Sequence, residues 1–126
     1  MAKAVKGVVE TWVRIPRERD AAVRTQLLEE CFASDGRLIS RSREVRGRAA
    51  MAELITQFLS DPQVPEMHVG VIDTGVKTFR YHVVLERRDG TKLEFSDSGL
   101  IDEDGRICLV LTFDGPLDQR NAPVAE

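Results

Sequence analysis

Apolar residues in the first half of the chain recur at helical spacing, and in the second half they alternate as strand residues do. Val5, Val8, Val9, Trp12 and Val13 fall on one stripe at i, i+3, i+4, i+7 and i+8, which predicts a helix over residues 4–14 that Pro16 bars from continuing. Asp20 is placed to cap a second helix whose Val23, Leu27, Leu28, Cys31 and Phe32 share a face; Ser34-Asp35-Gly36 then offers turn chemistry to end it. Residues 37–40 and 43–45 read as short strands. From Gly47 a third helix carries Met51, Leu54, Ile55, Phe58 and Leu59 at the same spacing and stops at Asp61-Pro62.

From Met67 to Phe113 the period changes to two. This stretch reads as a meander of four strands joined by turns at Asp73-Thr74-Gly75, Arg88-Asp89-Gly90 and Glu103-Asp104-Gly105, each with glycine third. Loops of three residues place that glycine in a left-handed conformation; Asp-Gly at the last two also suits a two-residue turn. The loop length decides the face of every side chain, because a slip of one residue turns a strand over. Three-residue loops set Leu85 opposite Leu93, Val83 opposite Phe95, Tyr81 opposite Asp97 and Phe79 opposite Gly99. They also set Phe95, Asp97, Gly99 and Ile101 opposite Phe113, Leu111, Leu109 and Ile107, with Met67, Val69 and Val71 on the same face. Two-residue loops would pair His82 with Asp97, a chemically tempting dyad that scrambles the apolar pairing. Matched cross-strand pairs contribute roughly 0.2–1 kcal/mol each, so the first register is favoured by several kcal/mol. The other face then carries His68, Thr78, Arg80, His82, Glu86, Lys92, Glu94, Ser96, Ser98 and Arg106, with Ile72, Val84, Leu100, Cys108 and Val110 among them.

At 126 residues, the chain predicts one domain over residues 1–117 that buries roughly two thirds of its unfolded surface, followed by a frayed tail at 118–126. A net charge of −3 argues against a nucleic-acid binder, which carries a basic excess. Cys31 and Cys108 lack metal-ligand spacing and read as reduced packing residues; no apolar run has the length of a membrane span. The expectation is a cytoplasmic protein needing neither metal nor organic cofactor. Arg37, Arg41, Arg43, Arg46 and Arg48 form a basic run, interrupted by Glu44, that reads either as a grip for an anion or as a solvated loop and helix start. His68 and His82 read as surface or interface residues.

Three amphipathic helices before a one-sided antiparallel sheet make an α+β domain with helices laid on the apolar face. The order of Trp12-Val13, then Cys31-Phe32-Ala33-Ser34-Asp35-Gly36, Gly47-Arg48-Ala49-Ala50, Asp104-Gly105-Arg106-Ile107 and Phe113-Asp114-Gly115-Pro116 resembles the nuclear transport factor 2-like superfamily, in particular its SnoaL-like branch. The resemblance covers almost the whole chain. It implies a cone-shaped, cystatin-like roll in which a strongly curved, mainly antiparallel sheet wraps against three helices around a pocket, and it implies a homodimer. Its members include isomerases, cyclases, dehydratases, hydrolases and proteins that only bind or assemble. In the ketosteroid isomerase-like members a carboxylic acid stands nine residues before the basic residue of the last turn, as Asp97 stands before Arg106. The general-base aspartate of those members would align with Ser40 and the helix-one tyrosine with Trp12, so one of three catalytic roles is kept.

Asp97 also follows from the residues themselves. A carboxyl ringed by Phe95, Leu109, Leu111 and Tyr81 is desolvated, which favours its neutral form. Such a group can donate a hydrogen bond to a substrate oxygen or pass a proton in enolisation, cyclisation or dehydration. Asp97 and Tyr81 are therefore the expected catalytic pair, with Trp12, Ser40, Phe58, Phe95 and Leu111 as expected contacts to a hydrophobic small molecule, a carbonyl or polyketide-like compound. The competing reading makes Asp97 a structural group satisfied by Tyr81, Trp12 or the backbone, and the chain a binding or dimerisation module. The apolar residues of the outer face predict a twofold contact between sheets.

Overall fold

A computed structural model describes residues 4–62 and 64–115; the expected tail lies outside them. Helix α1 (Val5–Arg14) buries Val8, Val9 and Trp12. Its stripe ends where Pro16 diverts the chain into a short 3₁₀ turn, Ile15–Arg17, that buries Ile15. Asp20 begins α2 (Ala21–Cys31) by accepting hydrogen bonds from the amides of Ala22 and Val23 at 2.9 and 3.4 Å, so two otherwise unpaired donors are satisfied by one carboxylate. Strand β1 (Phe32–Ile39) follows without a break. After β2 (Glu44–Arg46), Gly47 at φ 87° opens α3 (Arg48–Leu59), which buries Met51 and Ile55.

The remaining strands are β3 (Glu66–Val69), β4 (Asp73–Thr74), β5 (Thr78–Glu86), β6 (Lys92–Ile101) and β7 (Ile107–Asp114). They form one seven-stranded sheet in the order β2-β1-β7-β6-β5-β3, with β4 on β5. All pairings are antiparallel except β1 with β7. The helices cover one face, where Val9, Ile15, Phe32, Val83, Ile107 and Val110 are almost wholly excluded from water.

Between β5 and β6 the pairs are those of the three-residue loop: Leu85 with Leu93, Val83 with Phe95, Tyr81 with Asp97 and Phe79 with Gly99. The loops are closed by Arg87 with Thr91 and Asp102 with Arg106, and Gly90 and Gly105 sit at φ 88° and 80°, which glycine adopts without a Cβ clash. Three other expectations are corrected. Ser34-Asp35-Gly36 does not end a helix by a turn; it lies within β1 as the irregular stretch between Phe32 and Arg37, the residues on either side that pair with β7. Asp73-Thr74 pairs as a strand and the chain turns after it, with Gly75 bonded to Thr78. The pairing to β5 therefore changes register after Gly70: Val71 is 89% exposed and Ile72 packs against the core, the reverse of the expected faces.

The third correction concerns β7. Ile101 pairs with Ile107, but Leu100 pairs with Leu109, so Cys108 is an extra residue and the rest of the strand is turned over. Asp97 thus faces Thr112, Gly99 faces Val110 and Phe95 faces Asp114, while Leu109, Leu111 and Phe113 fall on the outer side opposite Leu100, Ser98 and Ser96. Val110, expected outside, is fully buried.

Gly99 is where the sheet tolerates no side chain: a Cβ there would collide with the Leu109 carbonyl oxygen and approach the Phe79 ring to 2.5 Å. Gly99→Ala is expected to destabilise the fold by about 1–3 kcal/mol, read as a lower urea midpoint with an unchanged slope.

Candidate functional site

A cavity of about 460 Å³ lies between the helices and the inner sheet face, within the range of small-molecule sites. Helix α1 supplies Trp12 and Val13 to its lining, and α3 supplies Met51, Leu54, Ile55, Gln57 and Phe58. Pro16, Leu38, Arg43 and Met67 border it, and the sheet contributes Tyr81, Val83, Leu85, Phe95, Asp97 and Thr112. Arg43 and Gln57 are exposed while Tyr81, Val83 and Asp97 are buried, so the cavity runs from a polar rim to a polar inner end through apolar walls.

The inner end is a chain of hydrogen bonds. Trp12 Nε1 donates to the Tyr81 hydroxyl at 2.9 Å, Tyr81 donates to Asp97 Oδ2 at 2.6 Å, and Thr112 Oγ1 donates to Asp97 Oδ1 at 2.6 Å. An indole N–H can only donate, so the Tyr81 oxygen must accept from Trp12 and its own proton is directed to the carboxylate. Trp12 is held in place by stacking on Phe32 at 5.3 Å, and Tyr81 stacks with Phe79 at 6.2 Å. Asp97 is only 6% exposed. Burial pushes its carboxyl above the ordinary 3.8, and the bonds from Thr112 and Tyr81 pull it back only in part. The Tyr81 phenol lies well above its ordinary 10.0, chiefly through burial and then through the charge of Asp97.

Of the residues singled out from the sequence, the fold brings Trp12, Phe58, Tyr81, Phe95 and Asp97 to one cavity. Leu111 is not among them, because the extra residue in β7 turns it to the outer face. Ser40 is not either: it closes the β1–β2 link through bonds to the Arg43 carbonyl, and it is Arg43 that reaches the cavity. Thr112, which engages the carboxylate in place of any leucine, was not expected. Strand β7 is apolar in both alternations up to that point, so its sequence carries no signal for the turned register. His82 lies on the outer face opposite Ser96, with Nε2 3.3 Å from Glu94; His68 lies 3.9 Å from both Glu66 and Glu86. Among the described residues no group of three or more His, Cys, Asp or Glu is placed to hold a metal ion, and no helix is long and apolar enough to cross a membrane.

No family model and no curated protein matches the chain, whereas solved structures do. It is similar to a candidate isomerase of the SnoaL-like family from Agrobacterium tumefaciens str. C58, with a TM-score of 0.76 at 20% identity over 87% of this chain and 96% of that one. It is also similar to SalBIII, an epoxide hydrolase/cyclase-like enzyme of pyran ring formation in salinomycin, with a TM-score of 0.66 at 17% identity over 90% and 92%. A nuclear transport factor 2-like protein of unknown function from Exiguobacterium sp. 255-15 gives 0.66 at 15% identity over 86% and 98%. The chain therefore has the α+β nuclear transport factor 2-like fold.

Two outcomes follow from the hydrogen-bonded chain. Because the folded protein holds the Asp97 proton more tightly than the unfolded chain does, it binds more protons from about the ordinary 3.8 up to its raised value. Stability is therefore expected to fall as pH rises through that window and to stay lower above it. Asp97→Asn, whose amide can donate to Thr112, should remove that slope in urea unfolding measured across the pH series. Tyr81→Phe leaves the Trp12 N–H and Asp97 Oδ2 without their shared partner and should cost about 1–3 kcal/mol in the same measurement.

Proposed function

We propose that this chain is a SnoaL-like protein that takes a hydrophobic carbonyl compound into the cavity and uses Asp97 and Tyr81 as a proton-transfer pair, in an isomerisation, cyclisation or dehydration. The observation that supports this reading best is the placement of a buried carboxyl and a phenol, 2.6 Å apart, at the inner end of an apolar cavity. As an anion, Asp97 receives both hydroxyl protons. When it takes a proton from the carbon beside a substrate carbonyl, the C–H electrons pass into the enolate. The protonated carboxyl no longer needs both donors. Tyr81, still accepting from Trp12, can then turn its hydroxyl proton to the substrate oxygen. Return of the proton from Asp97 to another carbon completes an isomerisation; its delivery to a leaving hydroxyl completes a dehydration. No metal or organic cofactor takes part in these steps. Phe95, Phe58 and the Trp12 face would hold the apolar body of the ligand.

One observation favours a second reading, a binding module without chemistry: both Asp97 oxygens already have partners, as a structural carboxylate requires. Trp12 is the only tryptophan and lines the cavity, so its fluorescence reports occupancy. Cyclic and open-chain lipophilic ketones are expected to raise the melting temperature and shift that emission, and Asp97→Asn to abolish turnover with the fold retained. Binding unchanged in Asp97→Asn, with no turnover in either protein, would leave only the second reading.

The outer face also fits the expected homodimer. Leu100 and Phe113 are 43% and 61% exposed there, beside Leu109 and Leu111, an apolar stripe that a twofold sheet-to-sheet contact would cover. Light scattering should give twice the mass of the chain for the wild type and a single mass for Phe113→Glu.

A further inference from the structure

The rim of the cavity carries a cation that the reaction proposed above does not use. Of the arginines in the basic run, Arg37 is 3.2 Å from Glu44, Arg46 is 4.0 Å from the same carboxylate, and Arg48 donates to the backbone carbonyls of Phe32 and Glu29 at 2.8 and 3.3 Å. Each of these three has its partner within the fold rather than at the cavity. Arg43 is placed differently. Its carbonyl closes the β1–β2 link by accepting from the Ser40 amide at 2.9 Å and facing the Ser40 hydroxyl at 3.4 Å, which anchors its backbone while its side chain borders the cavity. No carboxylate lines the cavity besides the buried Asp97, and the neutral amide of Gln57 is the other exposed polar side chain in the lining.

An apolar passage with a carbonyl-directed acid at its inner end and an arginine at its rim fits a molecule that is itself divided in this way. We infer that the ligand is an amphipathic acid: a hydrophobic carbonyl compound bearing a carboxylate at the end remote from the carbonyl, which Arg43 receives at the rim. The inference rests on the reading of the cavity given above and names the class of compound it takes. A guanidinium matches the planar carboxylate by paired N–H donors, and beside the amide of Gln57 it fixes which end of the ligand enters first. The carbonyl is thereby sent inward to Asp97 and Tyr81.

The test compares a medium-chain keto acid, oxodecanoic acid with its ketone next to the terminal methyl group, with its methyl ester. Dissociation constants are read from Trp12 fluorescence at neutral pH in the wild type, Arg43→Gln and Arg43→Lys. The acid is expected to bind about fivefold more tightly than the ester at low ionic strength, the scale of a partly exposed ion pair. That preference should shrink as salt is added, disappear in Arg43→Gln and persist in part in Arg43→Lys. Equal binding of acid and ester by the wild type, or a preference that survives Arg43→Gln, overturns the inference and leaves the cavity reading intact. If neither compound binds, the cavity reading falls and this inference with it.

Discussion

The pairing of Tyr81 with Asp97 across β5 and β6 is the constraint on which the rest of the structure turns. A carboxyl buried among apolar side chains is costly unless donors meet it, and hydrogen bonds to a charged group contribute about 1.5–3 kcal/mol each. Here two hydroxyls do so, one from each neighbouring strand. Both depend on register. A slip of one residue between β5 and β6 would exchange Tyr81 for an outer-face residue, and regular pairing of β7, without Cys108 bulged out, would set Leu111 in the place of Thr112. The polar network and the sheet alignment therefore specify each other.

The same network links the helices to the sheet. Trp12 reaches from α1 to Tyr81 while its ring lies on Phe32 at the start of β1, so one side chain ties together three elements that are separate in sequence. Aromatic rings supply much of this contact, and their polar edges are turned to where a donor is needed. The cavity survives beside this packed end because Leu38, Leu54, Phe58, Met67 and Leu85 are only partly buried and border the space rather than filling it.

Much of this arrangement was legible in the sequence, and the part that was not has a definite physical cause. The helices follow from stripes of apolar residues with a capping aspartate or a proline at their ends, and the β5–β6 register from two glycine-terminated loops. Asp97 and Tyr81 could be placed opposite one another because β5 and β6 alternate cleanly. Strand β7 does not alternate: Ile107, Leu109 and Leu111 would serve a core face as well as Val110 does, so periodicity could not reveal the inserted Cys108. Leu111 was consequently assigned to the site and Thr112 missed. Ser34-Asp35-Gly36 and Asp73-Thr74 misled for the opposite reason, since strand pairing of Asp73-Thr74 themselves, and of the residues flanking Ser34-Asp35-Gly36, draws turn-forming residues into strands, a tertiary effect that local chemistry does not contain. Ser40 closes the β1–β2 link, and of that stretch it is Arg43 whose side chain lines the cavity.

Two of the cavity's walls are methionines on different layers, Met51 from α3 and Met67 from β3. Unbranched sulfur-containing side chains re-form around guests of different outline at little cost. The lining is thus a yielding mould, tolerant of how bulky or how bent an occupant is. For the ligand proposed above, discrimination would then fall to the few fixed polar atoms that the cavity presents, and a guest would be chosen by the spacing of functional groups along it before it was chosen by shape.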